Sequence, residues 1–306
     1  HNDINQMPAF RKAVVTIGMF DGVHKGHQQV IHQLKAEAEK IGGETVIITF
    51  HPHPRKVVSS DASIKLLTTL QEKIELLARL GIDHLVIMSF TKAFSELTAE
   101  AYIKEFLVAC FRPHTVIVGY DHRFGKGRAG SYRMLEEFSA SLEYTVKEIP
   151  QQVLQNISVS STRIRESLLR GELDEANELL GYDYFFEGKV TEGNKLGRTI
   201  GYPTANLQMK DAEKLVPGNG VYAVTIENRN EPGVVRNGMM NIGVRPTVDG
   251  RQRVIEVNIF DFDKDIYGDY LRVSLKRFLR SEEKFSGLDA LKEQLARDKN
   301  AALKAL

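Results

Sequence analysis

Two histidines at the start of a helical segment are the side chains of this chain best placed to bind phosphate. His24 and His27 lie in the run GMFDGVHKGH, residues 18–27, between an apolar β-type run and the helical run that follows. Residues three apart share a face of a helix, and the helix N-terminus adds unpaired N–H groups and the positive end of its dipole. Glycines let a phosphate approach the backbone closely. The run therefore predicts a nucleotide site; the alternative is two surface histidines at a helix cap.

A run of hydroxyl side chains is a second candidate for phosphate binding. Ser160, Ser161 and Thr162 open another helical run, with Arg165 one turn further in. Such hydroxyls most often only cap a helix. The same hydroxyls and N-terminal N–H groups can also bind phosphates opposite the histidine helix. Alone, the run supports the cap and the phosphate clamp equally; beside the histidine motif, the clamp is favoured.

Two runs at the ends of predicted strands could line a substrate pocket. Residues 125–130, GKGRAG, fit G-x-G-x-x-G but follow the fourth strand and not the first, so we reject a dinucleotide fingerprint. A basic loop that touches a phosphorylated substrate and a plain surface turn both remain open. Residues 120–124, YDHRF, lie beyond the carboxyl end of that strand, where open α/β sheets bind ligands.

The segment HPHP, residues 51–54, resembles a metal-binding pair of histidines. No third ligand lies near it in the sequence, and its prolines predict an extended chain. We therefore interpret His51 and His53 as part of a pocket wall at the end of the second strand.

A glycine-rich run in the second half of the chain, residues 193–206, is the other dense signal. Three glycines spaced four apart, with a lysine and an arginine among them, predict a flexible flap over phosphates: Gly193, Lys195, Gly197, Arg198 and Gly201. Thr204 and Asn206 alternate onto one side of the strand that follows and offer two neutral oxygens to a hard cation. Mg²⁺ usually keeps waters and phosphates as its other ligands. The alternative is a glycine-rich hairpin.

Glu256 lies within a β-type run and shares one face of it with Val254 and Asn258. A carboxylate in such a place is usually solvated on the outer face. The functional interpretation is a general base that takes the proton of an attacking hydroxyl, which requires the carboxylate to point into a pocket. The sequence leaves both open.

The first half of the chain alternates strand-like and helical runs, which is typical of βαβ units and a parallel sheet covered on both faces. The strand-like runs are Ala13–Ile17, Thr45–Phe50, His84–Phe90, His114–Tyr120 and Tyr144–Ile149. The helical runs are Lys25–Ile41, Leu70–Leu80, Ala99–Phe111 and Tyr132–Leu142, followed by Ser161–Arg170 and Leu173–Leu180.

After Gly181, short β-rich runs separated by Gly, Asn and Asp predict an antiparallel barrel or sandwich. These runs are Phe185–Val190, Ala205–Met209, Val221–Glu227, Val234–Ile242, Val254–Phe262 and Leu271–Phe278, and a helix from Leu288 to Leu306 closes the chain. We expect two domains, residues 1–181 and 182–306.

Composition excludes several classes of protein. The 306 residues are 42% hydrophobic and 26% charged, and the net charge of +1 provides no electrostatic footprint for duplex nucleic acid. No apolar run reaches the roughly 18 residues that span a bilayer. Cys110 is the single cysteine, so we expect neither a disulfide framework nor a thiolate metal site. No signal peptide pattern is present, and we expect a cytoplasmic protein with no nucleic-acid or membrane partner; the sequence implies no protein partner and leaves the oligomeric state open.

Together these motifs resemble those of the bacterial bifunctional riboflavin kinase/FAD synthetase family over almost the whole chain. The first half carries GxFDGxHxGH (18–27), TFxPHP (49–54), GxDxRFG (119–125) and SSTxIR (160–165). The second half carries GRTxGYPTAN (197–206), NIGxRPT (241–247), Glu256 followed by DFD (261–263), YG (267–268) and RxExKF (280–285). His51 and His122 depart from the family pattern. The family often has an acidic residue or Asn at the place of His51, and Phe at the place of His122.

The resemblance implies a doubly wound, Rossmann-like nucleotidyltransferase domain of the HxGH type, joined to an antiparallel six-stranded barrel with a C-terminal helix. The barrel is expected to phosphorylate riboflavin with ATP and Mg²⁺, giving FMN and ADP. The first domain is expected to transfer an adenylyl group from a second ATP to FMN, giving FAD and pyrophosphate.

The resemblance also implies which residues act. For adenylyl transfer, the expected catalytic groups are His24, His27 and Arg165, the ATP ligands Gly18, Phe20, Asp21, Gly22, Gly26, Ser160, Ser161 and Thr162, and the FMN ligands His51, Asp121, Arg123, Lys126 and Arg128. For riboflavin phosphorylation, Glu256 is the expected base and Thr204 and Asn206 the metal ligands. The expected ATP or flavin ligands there are Gly193, Lys195, Gly197, Arg198, Gly201, Tyr202, Pro203, Asn241 and Arg280.

Three other functions compete with this one. The barrel could be a flavin-binding regulatory module of a single-activity enzyme. The first domain could be a nucleotidyltransferase that acts on a different phosphate monoester, with ATP or CTP as the donor and the barrel as a partner-binding domain. A non-enzymatic flavin sensor is disfavoured, because the flap and the metal motif have no use in simple binding.

Overall fold

The chain divides into two compact units, His1–Ser160 and Ser161–Leu306. The computed structural model describes residues 1, 7–59, 64–149, 159–193, 196–247 and 250–306. The predicted boundary between residues 181 and 182 remains a prediction. Each unit is described by itself.

A parallel five-stranded sheet forms the centre of the first unit, as the alternating pattern predicts. The strands are β1 (Val14–Ile17), β2 (Thr45–His51), β3 (His84–Ser89), β4 (Thr115–Gly119) and β5 (Thr145–Ile149), in the spatial order β3-β2-β1-β4-β5. Val14 pairs with Thr45 on one side and Thr115 on the other. The order reverses at β1, so the strand that leads to the two histidines is at the switch point, where open α/β sheets bind ligands.

Helices cover both faces of this sheet. The helices of this unit are α1 (Lys25–Ile41), α2 (Pro54–Val58), α3 (Leu70–Arg79), α4 (Lys92–Ser95), α5 (Ala99–Ala101, Tyr102–Val108 and Ala109–Phe111) and α6 (Tyr132–Ser139). Val15 and Ile48 pack with Ile103 of α5 in one core cluster. The buried residues of α1, Ile31, Leu34 and Ala38, lie outside that cluster, and α1 packs against β1, β2 and β4.

Two details of the first unit differ from the predictions. The middle of α5, Tyr102–Val108, is a π-helix, and four residues of this stretch are buried in the core: Tyr102, Ile103, Phe106 and Leu107. The HPHP segment is not extended throughout: His51 ends β2, His53 caps α2, and Pro54 is the first residue of that helix. Proline is favoured there because the first helical position needs no N–H donor.

A closed antiparallel barrel of six strands forms the second unit, so the sequence pattern is that of a barrel and not of a sandwich. The strands are β6 (Phe185–Thr191), β7 (Ala205–Met209), β8 (Gly220–Asn228), β9 (Val235–Thr247), β10 (Gly250–Ile259) and β11 (Tyr270–Arg280), in the order β10-β7-β6-β11-β8-β9. The helices of this unit are α7 (Ser161–Arg170), α8 (Leu173–Leu180), α9 (Leu196–Thr199) and α10 (Leu288–Ala305).

The alternation of the strands places one row of residues inside the barrel and the next row outside. Val257, Met240 and Tyr222 are directly paired across three strands and are fully buried. One residue further along, Met239 and Ala223 pack under Ala302 of α10, on the outer face. Because side chains alternate between the faces, Glu256 and Asn241 lie on this outer face too.

Two candidate nucleotide sites

His24 and His27 meet at the N-terminus of α1. The helix begins at Lys25, so His24 is its N-cap and not its first residue, and the His24 Nδ1 accepts a hydrogen bond from the His27 N–H at 3.3 Å. The two rings are stacked, with centroids 3.6 Å apart and planes 15° apart. The Phe20 ring lies 5.1 Å from the ring of His27. The motif therefore builds one compact pair of imidazoles at a helix terminus.

His27 is held in its neutral form. Burial lowers its pKa well below the ordinary value, and the neighbouring His24 and Lys73 lower it further. A neutral imidazole carries one donor nitrogen and one acceptor nitrogen. The buried Nδ1 of His27 has no hydrogen-bond partner within the described part of the chain. An orphaned buried polar atom of this kind requires an explanation, and a bound ligand provides one.

The loop of residues 18–23 is held in a strained conformation by groups from outside it. Phe20 and Val23 have positive φ angles of 48° and 38°. The buried Asp21 carboxylate accepts hydrogen bonds from the Leu67 and Thr68 N–H groups at 3.2 and 3.1 Å. Asp21, which the resemblance assigns to ATP, is thus engaged in anchoring the loop; its role toward ATP remains a prediction.

The glycines of the motif make room for rings of the same motif. A Cβ at Gly18 would lie 3.1 Å from the Phe20 ring, and one at Gly26 would lie 3.2 Å from the His24 ring. Gly22 has a φ of 82°, which favours glycine, and its N–H donates to Thr68 Oγ1 at 3.1 Å. These three glycines therefore shape the pair of imidazoles, whichever phosphate binds there.

The predicted FMN ligands follow strands that are neighbours of β1. The carboxyl ends of β2, β1 and β4 lie side by side at one edge of the parallel sheet. His51 ends β2, and the charged residues predicted to bind FMN follow β4 and are exposed: Asp121, Arg123, Lys126 and Arg128. The ammonium of Lys126 lies 2.7 Å from Glu96 Oε2, so this lysine already has a carboxylate partner.

The hydroxyl run begins α7, which belongs to the second unit. Ser160 immediately precedes Ser161, the first residue of this helix; Thr162 is exposed and Arg165 half-buried. Their role in adenylyl transfer remains a prediction.

In the second unit, β-strand pairing brings three of the predicted residues into one row. Glu256 of β10 is directly paired with Asn206 of β7 on one side and with Asn241 of β9 on the other. Directly paired side chains point to the same face of a sheet, about 5 Å apart at their Cβ atoms. Glu256 is half-buried on the outer face of the barrel. The structure therefore places this carboxylate between two amide side chains.

Two glycines of the flap rest on the two predicted metal ligands. A Cβ at Gly193 would lie 2.5 Å from the amide carbon of Asn206, and a Cβ at Gly197 would lie 3.4 Å from Thr204 Oγ1. Asn258 Nδ2 donates to the Pro203 carbonyl at 2.7 Å, which fixes the chain immediately before Thr204. Lys195 lies outside the described residues.

The remaining predicted ATP or flavin ligands of this unit differ in exposure and in their contacts. Arg198 is exposed, Gly201 has a φ of 83°, and Tyr202 packs against the cluster under α10. The guanidinium of Arg280 lies 2.7 Å from the buried carboxylate of Asp298. That contact ties β11 to α10, so Arg280 has a structural partner, and its role toward ATP or flavin remains a prediction.

Sequence reasoning missed two residues beside these sites. Lys73 lies buried under the 18–23 loop. Glu282 lies close to Gly243: a Cβ built at Gly243 would meet the Glu282 carboxylate and would lie 3.3 Å from Asn241 Nδ2. Glu282 stands in the RxExKF motif, a signal that could have identified it. No comparable signal marked Lys73.

Comparisons with known proteins match the two halves of the chain to two different families. Residues 6–163 match the FAD synthetase family and residues 180–306 the riboflavin kinase family. A bifunctional riboflavin kinase/FMN adenylyltransferase from Listeria monocytogenes is 41% identical over 93% of this chain and 90% of its own length. Proteins of the same description from Escherichia coli K12 and Bacillus subtilis are 36% and 38% identical, over 99% and 96% of this chain and 95% and 92% of their own.

A crystal structure described as a macrolide-efflux protein from Streptococcus pneumoniae has the same fold. Its TM-score is 0.86 at 30% identity, and the match covers 98% of this chain and 96% of that one. Within the described residues of the present chain, no helix has the length and apolar character needed to cross a membrane.

Proposed function

The chain belongs to the family of bifunctional riboflavin kinase/FMN adenylyltransferases, and from this premise we propose which of its residues carry each reaction. It phosphorylates riboflavin to FMN and transfers an adenylyl group from ATP to FMN, giving FAD. We assign the first reaction to the row that contains Glu256 and the second to the His24–His27 pair.

In the kinase reaction, Glu256 takes the proton of the ribityl 5′-hydroxyl. The freed oxygen then forms a bond to the γ-phosphorus of ATP while the bond to ADP breaks. Thr204 and Asn206 position the phosphates, and the flap covers them. The pairing of Glu256 with Asn206 and Asn241, and the contacts of Gly193 and Gly197 with the two predicted metal ligands, support this assignment.

The donor set of this site fits Mg²⁺. A hydroxyl, an amide oxygen and a nearby carboxylate are hard ligands, and Mg²⁺ needs few of them because it retains waters and substrate phosphates. Thr204 and Asn206 are the residues that would hold it. When bound, the ion neutralises the charge that develops on the phosphates.

In the adenylyl transfer, a phosphate oxygen of FMN attacks the α-phosphorus of ATP and the bond to pyrophosphate breaks. This nucleophile is already anionic and needs no strong base; the barrier is the approach of two anions. The imidazoles and the N-terminal N–H groups of α1 stabilise the α-phosphate and the leaving group. The orphaned Nδ1 of His27 is the observation that supports this site. His51, Asp121, Arg123 and Arg128 are proposed to face FMN.

The observation that carries the assignment is that the two sets of residues gather in different compact units. One incubation with riboflavin, ATP and Mg²⁺, followed by chromatography of FMN and FAD, tests it with two variants. Glu256→Gln is expected to lower FMN formation by about 10²–10⁴-fold, because a general base is lost, and to leave FAD formation from supplied FMN intact.

His27→Ala is expected to do the reverse. Loss of one phosphate-stabilising group typically costs about 3 kcal/mol, roughly a hundredfold in rate, so FMN should accumulate. Loss of both activities in either variant would contradict separate sites, and unchanged FAD formation would remove His27 from the mechanism.

A further inference from the structure

Lys73 is a buried lysine that neither reaction, as assigned above, uses. It is only 6% exposed. Its ammonium donates to the Met19 carbonyl at 2.7 Å and lies 3.5 Å from Thr49 Oγ1. Thr49 Oγ1 donates to the same carbonyl at 3.2 Å. In the part of the chain that the structure describes, no carboxylate oxygen lies within ion-pairing distance of this ammonium. The cation therefore contacts only neutral groups.

A buried ammonium without a counter-ion is costly. Lysine is almost never fully buried unless it is paired, and the penalty for removing an ion from water is several kcal/mol. The negative charge of Asp21 opposes the effect of burial on the pKa of Lys73. Its carboxylate, however, is engaged by the Leu67 and Thr68 N–H groups. An anion bound above the 18–23 loop would supply the missing counter-charge.

The imidazole of His27 does not supply the missing positive charge. Lys73 is one of the causes that lower the pKa of His27, so the imidazole beside it is neutral when the lysine is protonated. Two anions, ATP and FMN, must nevertheless meet here, and pyrophosphate must leave. Among the residues that the structure describes, Lys73 places a positive charge under the loop, and the dipole of α1 supplements it.

We propose that Lys73 is the buried cation of the adenylyl-transfer site, a positioning residue that holds the Met19 carbonyl and offsets the charge of the triphosphate and of the departing pyrophosphate. It acts through the 18–23 loop and across the protein interior, where charges are weakly screened, and not by contact with the phosphates. This inference rests on the proposed location of adenylyl transfer at the His24–His27 pair.

Three variants of the full chain separate charge from hydrogen bonding. Lys73→Arg keeps the charge, Lys73→Gln keeps an N–H donor for Met19 without charge, and Lys73→Met keeps neither. Lys35→Met is the matched control: the Lys35 ammonium also donates to a backbone carbonyl at 2.7 Å, that of Leu80, but this lysine is exposed on α1. The measurements are kcat and KM for ATP at saturating FMN and the Kd of inorganic pyrophosphate, with riboflavin phosphorylation assayed in the same samples.

We expect Lys73→Gln and Lys73→Met to lose at least about tenfold in kcat/KM and to bind pyrophosphate more weakly, because a charged stabilising group is absent in both. Lys73→Arg should retain most of both quantities. Riboflavin phosphorylation and the Lys35→Met variant should remain within about twofold of the parent. If Lys73→Gln retains activity, the lysine acts only as a hydrogen-bond donor and the proposal is overturned.

The dependence of kcat/KM on pH would not change if Lys73 had a purely structural role, so it provides an independent test. Burial lowers the pKa of Lys73 to about 8. The titratable groups that face it are Asp21 of the loop and His27 of α1. Lys73 loses its charge as the pH rises through this value, so kcat/KM of the parent should fall above pH 8, and arginine should shift this fall to higher pH. Should the Gln and Met variants not fold, this shift decides: an alkaline fall that arginine leaves in place overturns the proposal.

His27→Ala, assayed alongside, distinguishes the two levels of failure. If His27→Ala lowers FAD formation roughly a hundredfold and every Lys73 variant retains it, the inference fails and the proposed function stands. If His27→Ala also retains it, the proposed site itself is wrong.

Discussion

Two histidines of the first unit show how burial controls the charge of an imidazole. His27 belongs to the proposed phosphate site, and because burial lowers its pKa, we expect it to act there as a hydrogen-bonding group and not as a cation. His122 lies after β4, with its ring 5.8 Å from that of Phe124, and its buried Nε2 has no partner among the described residues. Burial lowers the pKa of His122 to about 4; Arg128 acts in the same direction and Asp121 opposes it.

His122 should make the protein sensitive to acid. Its pKa is lower in the folded chain than the ordinary 6.5, so between pH 6.5 and 4 the unfolded chain binds a proton that the folded chain does not. The contribution of the neutral His122 to the free energy of unfolding is therefore fully present above pH 6.5 and is lost as the pH falls toward 4. We expect the free energy of unfolding of His122→Phe to exceed that of the parent by an amount that grows as the pH falls from 6.5 to 4.

Urea unfolding of the two proteins at a series of pH values measures this difference. His32→Phe, at an exposed position on α1, is the control and should leave the slope with pH unchanged. A constant difference between His122→Phe and the parent from pH 7 to pH 4 would contradict the assignment of a neutral buried imidazole.

Whole strands, and not single residues, position the row that we propose for the kinase reaction. Asn206, Glu256 and Asn241 come from three strands, and the register of β10 between β7 and β9 aligns them. A slip of one residue would turn Glu256 to the inside of the barrel, where Val257 and Ile255 are buried. The short helix α9 and the turn after it fix the chain just before Thr204, because the Tyr202 N–H donates to the Gly197 carbonyl at 2.8 Å.

Gly197→Ala should damage this element. A Cβ at Gly197 would lie 2.2 Å from the Tyr202 carbonyl oxygen, so the backbone turn before Thr204 must shift. A displacement of about 1 Å at a catalytic constellation can cost roughly a hundredfold. We expect riboflavin phosphorylation to fall by at least about tenfold, and FAD formation from FMN to be unchanged.

Gly287→Ala is the matched control in the same unit, since nothing lies within 4 Å of a Cβ there and its φ is extended. Both variants are assayed for the two activities. Full kinase activity of Gly197→Ala would show that this turn does not position Thr204.

For the whole chain, the position of α7 and α8 determines how it can be divided. These two helices contact the barrel: the Gly218 N–H donates to the Leu168 carbonyl at 2.9 Å, and Asn177 Nδ2 donates to the Leu275 carbonyl at 3.0 Å. The Tyr184 N–H donates to Asn177 Oδ1 at 2.8 Å. A fragment cut at residue 182 removes these partners and exposes the barrel surface that they cover.

We therefore expect the fragment 161–306 to be more stable than the fragment 182–306 and to retain riboflavin phosphorylation. The buried leucines of the two helices, Leu168, Leu173 and Leu180, explain the difference, since each buried leucine side chain contributes about 1.5–3 kcal/mol. Thermal unfolding and a kinase assay of the two fragments test this. Equal melting temperatures would show that the helix pair adds nothing to the barrel.

The sequence alone determined what depends on local pattern. Alternating runs predicted the parallel sheet, glycine-separated β-runs predicted the antiparallel second unit, and motifs such as residues 18–27 and 197–206 predicted the family and most site candidates, because their residues are close in the chain. For Glu256 the sequence left a solvated face and a pocket both open.

Only the tertiary structure decided what depends on contacts between distant segments. It placed Glu256 between Asn206 and Asn241 through strand register, and Lys73 beneath a loop 54 residues away. It also showed that Asp21 anchors that loop and that burial lowers the pKa of His27, because hydrogen-bond partners and burial arise only when the chain has folded. Charge in a protein interior is a property of the surroundings of a residue, and the sequence does not state those surroundings.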